Sequence, residues 1–218
     1  MIDQMGRILA NIAGGLIPGI RFSMAGETNS VYLTFDDGPH PETTPRILDL
    51  LAKHDARATF FCLGRNVEKY PAVFDSIIEG GHVVGNHSWS HPNGWLTSTG
   101  KYLADVNRAS EVIDSNLFRP PYGRITPGQY RQLKKRYEII MWTRQFTDYR
   151  PGFNPHRVSL NGIQPGDILV MHDNSANVWN DAPPNIFNTL KLMDRIFACF
   201  PYSFQVCNTK RMVHHTIP

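Results

Sequence analysis

Val31-Tyr32-Leu33-Thr34-Phe35-Asp36-Asp37-Gly38-Pro39 decides how this chain folds. An apolar run is closed by two adjacent carboxylates, and Gly and Pro then impose a turn. Val31 to Phe35 therefore reads as a buried strand with charge gathered at its carboxyl end. A helix follows over Thr43 to His54, with Ile47, Leu48 and Leu51 on one face. Pro45 fits its first turn.

The same alternation continues along the chain. Ala58 to Cys62 is a second strand, and a helix through Val73, Phe74, Ile77 and Ile78 stops at Gly80-Gly81. His82 to Gly85 is a short strand, and Tyr102, Val106, Ala109 and Ile113 mark a helix by their spacing. Phe118-Arg119 is extended, Tyr130 and Leu133 lie on a helix, and Glu138 to Trp142 is a strand. Ile168 to Met171 is the next strand. A long helix carries Ile186, Leu190, Met193, Phe197 and Phe200, and Tyr202 to Val206 closes the pattern. Repeated strand–helix units predict an α/β fold with parallel strands and outer helices. About seven strands predict a distorted or incomplete (β/α) barrel, with a doubly wound open sheet as the runner-up.

The polar residues fall just after the strands: Asp36-Asp37, His87 and His91, Arg119, Asp148 and His172. In a barrel of this kind the loops at the carboxyl ends of the strands build the site, so these residues converge. His87-Ser88-Trp89-Ser90-His91 places two imidazoles four residues apart. Catalytic zinc takes three protein ligands from His and Asp or Glu and keeps a position for water. The chain offers Asp, His and His, with one Asp to spare as a base. Each motif has a plainer reading, a turn for Asp-Asp-Gly-Pro and a solvated pair for the histidines. Both together, each at the end of a strand, favour the metal.

At 218 residues the chain is long enough for one substantial core. Its net charge of +3 comes from scattered residues. The one tight basic cluster, Lys134-Lys135-Arg136, reads as a solvated helix face, so no nucleic-acid partner is expected. Cys62, Cys199 and Cys207 make no disulfide framework, which fits a reducing compartment and a cytoplasmic location, with export as the alternative. Residues 1–30 are expected to form a helix or arm packed on the domain of residues 31–218. The apolar stretch from Ile8 to Ile20 is broken by Gly and Pro and is too short for a transmembrane segment. Ser23-Met24-Ala25 has the small residues of a cleavage site, but Asp3 and the single Arg7 make a poor signal leader. Nothing in the sequence fixes an oligomeric state.

From Val31 to Asp173 the chain resembles the polysaccharide deacetylases of the NodB-homology type, carbohydrate esterase family 4. Four ordered motifs carry the resemblance: Thr34-Phe35-Asp36-Asp37-Gly38-Pro39, His87 to His91, Arg119-Pro120-Pro121-Tyr122-Gly123, and Leu169-Val170-Met171-His172-Asp173. The resemblance implies a metal-dependent hydrolase that removes N-acetyl groups from amino sugars of a glycan. Asp37, His87 and His91 would then hold a divalent cation, with zinc expected and Co2+, Ni2+ or Mn2+ also accepted by such a donor set. Asp36 would be the general base, with Arg119 keeping it ionised and aimed. The backbone N–H of Tyr122 would face the oxyanion. His172 would protonate the departing amine, oriented and charged by Asp148. Trp89, Trp95 and Trp179 are candidate sugar-stacking walls, with core packing as the plainer reading. Tyr122 and Val170 are expected to line the pocket that receives the substrate.

The fourth motif departs from the family. Its usual Asp-x-x-Asp-Trp stands here as Gln145-Phe146-Thr147-Asp148-Tyr149. The Asp that supports the acid is kept, the first Asp is lost, and Tyr replaces Trp. Two other functions are consistent with the scaffold: hydrolysis of an O-acetyl ester or small-molecule amide, and glycan binding without catalysis.

Overall fold

The computed structural model describes residues 17–24, 29–150, 152–174, 186–200 and 203–207. Among these residues nine strands form one sheet: β1 (Ile20–Arg21), β2 (Ser30–Asp36), β3 (Ala58–Cys62), β4 (Val83–Asn86), β5 (Leu117–Phe118), β6 (Glu138–Ile140), β7 (Arg144–Gln145), β8 (Ile168–His172) and β9 (Ser203–Phe204). Their order is β1-β6-β5-β4-β3-β2-β8-β7, with β9 paired to β2. Every pairing is parallel. The helices between them are α1 (Thr43–Lys53), α2 (Gly64–Lys69), α3 (Pro71–Glu79), α4 (Thr99–Ala109), α5 (Pro127–Leu133) and α6 (Ile186–Cys199).

β2 is buried along its whole length, as a parallel strand covered on both faces must be. Its alternate residues serve two layers. Val31, Leu33 and Phe35 join Ile47 and Leu51 of α1, Phe60 of β3 and Leu192, Met193 and Ile196 of α6 in the outer core. Tyr32 points the other way and packs with Phe61, Leu117, Ile140 and Ile168. Ile140 lies on β6, four strands from β2. Strands stand about 4.8 Å apart, so a flat sheet would hold these two side chains about 19 Å from each other. Neighbouring contacts could carry that cluster along a flat face, but a single side chain, Arg119 just after β5, reaches from the Ile140 carbonyl to Asp36 of β2, so the sheet curls, which decides for the barrel against the doubly wound alternative.

The curl is completed at its amino-terminal rim. Just past edge strand β1, Ser23 bridges Asp167 in antiparallel fashion, and the Met24 N–H donates to the Gly166 carbonyl 2.8 Å away. Thus Ser23 and Met24, on the segment expected to be an arm, tie the β1 edge to the start of β8. Signals in the sequence located the larger elements but not the smallest. β1 and β7 have two residues each and leave no periodic pattern. α2 is a polar Gly-Arg-Asn-Val-Glu-Lys turn with no apolar repeat. The cysteines are free, with Cys62 and Cys207 buried and Cys199 exposed. No helix among the described residues is long and apolar enough to cross a membrane.

Phe35 and Phe60 stack with ring centroids 5.0 Å apart between β2 and β3. Phe60→Ala is expected to cost about 3–5 kcal/mol of stability. Guanidinium unfolding of wild type and variant measures it, and an unchanged midpoint would contradict the assigned packing.

Candidate active site

The strands deliver their polar residues side by side because the ladder continues beyond their ends. Asp36 of β2 is in register with His172 of β8. The His87 N–H donates to the Cys62 carbonyl at 2.9 Å, the Arg119 N–H to that of Asn86 at 3.0 Å, and the Asp173 N–H to that of Asp36 at 3.3 Å. Asp36, Asp37, His87, Arg119, Asp148 and His172 are all buried at this rim.

Arg119 occupies the centre and is fully buried. Its Nη1 donates to Asp36 Oδ1 and to Thr34 Oγ1, both at 2.7 Å. Nε and Nη2 donate to the carbonyls of Ile140 and Met141 at 3.0 and 3.1 Å, and the guanidinium lies 4.1 Å from the Phe61 ring centroid. The carbonyl of Arg119 is 2.8 Å from His87 Nδ1. An acceptor there requires the proton on Nδ1, which leaves the Nε2 lone pair bare.

That bare nitrogen faces Asp37, whose Oδ1 lies 3.5 Å from His87 Nε2 and 3.2 Å from His91 Nε2. Ligand atoms of the three side chains all fall within 4.8 Å of one another. Burial opposes ionisation of Asp37, but the neighbouring His91, His87 and His172 more than offset it and hold the carboxyl well below its usual range. Burial pushes His91 down to about 4 against the pull of Asp37, so its imidazole is neutral at pH 7. Asp37 Oδ1 is buried and takes no hydrogen bond. A naked carboxylate oxygen facing two imidazole nitrogens suits a divalent cation.

Opposite, His172 Nδ1 is 2.8 Å from Asp148 Oδ1, while Asp148 Oδ2 accepts from the His172 backbone N–H at 2.9 Å and from Thr189 Oγ1 at 2.8 Å. Burial works against a charged imidazole, yet the charge and hydrogen bond of Asp148 prevail and raise His172 to about 9. Tyr149, at the altered position of the fourth motif, sets its ring 4.5 Å from that of His172. Gln145, where that motif usually begins with Asp, lies exposed on β7.

The remaining expected residues separate. Tyr122 is exposed, at a left-handed φ of 58°, with its ring 4.4 Å from His91. Trp95 is exposed at the same rim. Val170 is buried two residues before His172 on the same strand face, in register with Thr34. Trp89 is a correction: only 9% exposed, it packs in the core and cannot form a sugar-facing wall. Arg108 covers it with its guanidinium 3.7 Å from the ring centroid, and a Cβ on Gly64 would stand 2.6 Å from its Cε3. Trp179 lies outside the described residues.

Several positioning groups escaped the sequence reading. Asp105 of α4 accepts from the Trp89 and Ser90 N–H groups at 2.8 and 3.0 Å and from Ser90 Oγ at 2.6 Å. Asn86 Oδ1 accepts from the Ser88 N–H at 2.7 Å, and Asn66 Nδ2 donates to the Asp37 carbonyl at 2.7 Å. Asp173 is buried below Gly38, and a Cβ on that glycine would lie 2.0 Å from its Oδ2. The carboxylate at Asp105 has no recognisable spacing from the histidines, so only the fold could reveal its role.

Residues 24–141 match the family model described as polysaccharide deacetylase. The chain belongs to that family. Against the peptidoglycan-N-acetylglucosamine deacetylase of Bacillus cereus it is 32% identical over 87% of this chain and 74% of the relative. It is 36% identical to the peptidoglycan-N-acetylmuramic acid deacetylase PdaC of Bacillus subtilis, over 66% of this chain and 32% of that protein. The crystal structure of the Bc1960 peptidoglycan N-acetylglucosamine deacetylase superposes with a TM-score of 0.75 at 29% identity, covering 87% of this chain and 91% of that one. As a polysaccharide deacetylase the protein is a hydrolase that removes N-acetyl groups from amino sugars of a poly- or oligosaccharide; the family is metal-dependent, and Asp37, His87 and His91 are the candidate metal site.

Asp105→Ala frees three donors of the loop between the two histidines. Metal affinity is expected to fall by about 10- to 100-fold, the range for groups that orient ligands. Competition with a chromophoric chelator measures it, and Asp105→Asn, which keeps one acceptor oxygen, should recover part of the loss.

Proposed function

We propose that this deacetylase acts on an amino sugar of peptidoglycan, with Asp36 as base, His172 as acid and zinc held by Asp37, His87 and His91. Both curated relatives above act on peptidoglycan by name, and two imidazoles with one carboxylate make a zinc-like donor set. The observation that carries the reading is the pairing of Asp36 with His172 across β2 and β8, which sets a clamped carboxylate and a charged imidazole around one group of ligands.

A divalent cation in that position supplies Lewis acidity, polarising an acyl oxygen and making water a better acid. Asp36 completes the preparation of the nucleophile. Arg119 holds its Oδ1, and Oδ2 turns to the site 4.0 Å from His87 Nε2, free to take a proton from water. The turn Pro121–Gly123 sets the Tyr122 ring beside that of His91, and the backbone N–H of the same residue is the donor assigned to the developing oxyanion. Val170, fully buried two residues before His172, packs beneath the acid and offers no open wall to a substrate. His172 then delivers its proton to the nitrogen as the C–N bond breaks. An amine leaves poorly unless protonated, whereas an alkoxide needs less help, so a charged His172 favours the amide over the ester. Wall polymer lies beyond the cytoplasmic membrane, and this substrate carries with it action on the wall side rather than in the cytoplasm.

Asp36→Asn should lower kcat/KM for acetate release by at least about 100-fold, with metal stoichiometry unchanged. Full activity in that variant would remove Asp36 from its role. Elemental analysis of the purified protein should find zinc ahead of cobalt, nickel and manganese.

The acid gives a pH test with a definite sign. His172 must be protonated, so activity falls as pH rises through about 9. Asp148→Asn removes the charge that raises this value and leaves burial, which lowers it. The alkaline limb should therefore move to lower pH, and a limb that stays in place would detach it from His172.

A further inference from the structure

A row of exposed and half-buried side chains leads away from the catalytic rim, and apart from the Tyr122 backbone N–H its residues have no part in the chemistry above. Next to His91 stands the Tyr122 ring, followed by the Arg124 guanidinium at 5.8 Å from that ring's centroid and 4.9 Å from the centroid of Trp95. Trp95 is 65% exposed, and Leu96 beside it is 85% exposed. A large apolar pair facing water is usually left loose, but here it is fixed. Gln129, fully buried, donates through Nε2 to the carbonyls of Gly94 and Thr97 at 2.9 and 3.0 Å, on both sides of the pair. Its Oε1 accepts from the Thr126 N–H at 2.9 Å, within the capping box of α5. Gly94 lies so close to the Arg124 backbone that a Cβ would stand 2.2 Å from its carbonyl oxygen. The loop that presents Trp95 is thus bolted to the turn that presents Arg124 and Tyr122.

Among the described residues Arg124 makes no ion pair, and its contacts are the two ring faces. Aromatic faces suit the apolar face of a pyranose ring. A guanidinium whose plane rests near rings keeps its N–H edge for a carboxylate.

We propose that Trp95, Arg124 and Tyr122 form a subsite for a carboxylated sugar adjoining the amino sugar under attack, so that the enzyme prefers an acidic glycan to a neutral one. This rests on the deacetylase reading above and narrows its substrate to a chain bearing the lactyl carboxylate of N-acetylmuramic acid. Position supports it, since Tyr122 touches the ligand His91 at one end of the row and Trp95 ends it.

The test compares two tetrasaccharides, chitotetraose and the alternating N-acetylglucosamine–N-acetylmuramic acid chain with free lactyl carboxylates. Acetate release is measured with the metal-loaded enzyme, and binding by calorimetry in the metal-loaded Asp36→Asn background, where turnover does not intrude. Wild type should favour the acidic chain, less so as salt is raised. Arg124→Gln should shrink the acidic-to-neutral ratio by on the order of tenfold, the scale of a charge-assisted hydrogen bond. Arg124→Lys should keep part of it. Trp95→Ala should weaken both substrates by about three- to tenfold, because stacking is indifferent to the carboxylate. Acetate released with no preference, or a preference that survives in Arg124→Gln, overturns the subsite and leaves the deacetylase reading intact. A calorimetric preference lost in Arg124→Gln, with no acetate from either chain, supports the subsite and ends that reading instead.

Discussion

The buried guanidinium of Arg119 is the interaction on which the site depends. In a flat sheet the ends of β5 and β2, three strands apart, would stand about 14 Å from each other, beyond one side chain's reach. Here a single arginine spans from the carbonyls of Ile140 and Met141 to Thr34 and Asp36. Barrel curvature is what permits the contact, and the contact in turn holds the curvature at the catalytic rim. Its own carbonyl sets the tautomer of His87. A buried charge is tolerable only when paired and fully hydrogen-bonded, and removing one partner of such a pair costs about 3–5 kcal/mol. Asp36, the base in the function proposed above, is therefore also a structural counterion. Its replacement by Asn, which keeps an acceptor oxygen, separates the two roles better than replacement by Ala.

Local strain is concentrated around the same rim. Asp37, Ser88, His91 and Tyr122 all have φ between 58° and 78°, a region that side chains with a Cβ avoid. Each turn redirects a side chain: Asp37 and His91 toward one another, Tyr122 over His91. Neighbouring polar groups hold them there, including Asp105 and Asn86 on the histidine loop and Asn66 on the Asp37 carbonyl. Observed strain supported by dedicated hydrogen bonds is the mark of a pre-organised site rather than of poor packing.

This explains what could be read from the chain alone. Seven of the nine described strands and the larger helices were legible because burial imposes period, and the histidine pair because its spacing is local. Arg119 and His172 were legible through the motifs around them. The left-handed residues were not, since Asp, Ser, His and Tyr carry none of the signal that glycine would have given. Asp105, Gln129 and Asp173 are ordinary polar residues in the sequence, and their roles arise from contacts with loops distant along the chain. Trp89 misled for the same reason in reverse. Its neighbours are both polar serines, but Gly64 and Arg108, from two other elements, enclose it.

Charge balance at the rim gives the most direct physical argument for a cation. Arg119 offsets Asp36, and the raised His172 offsets Asp148. Burial lifts Asp173 to about 7, against the pull of its Thr44 hydrogen bond, so near neutrality it holds a proton for part of the time and needs no full counter-charge. Asp37 is left. It is buried and ionised, and the imidazole of His91 beside it is neutral at pH 7. A carboxylate in that state is costly to maintain without a positive charge. The nearest donors of compensation are two imidazole nitrogens that present lone pairs rather than protons when bound to metal. The fold thus fashions a surplus negative charge with two imidazole nitrogens aimed at the same point, an arrangement that a divalent cation stabilises and an ordinary hydrogen-bond network does not.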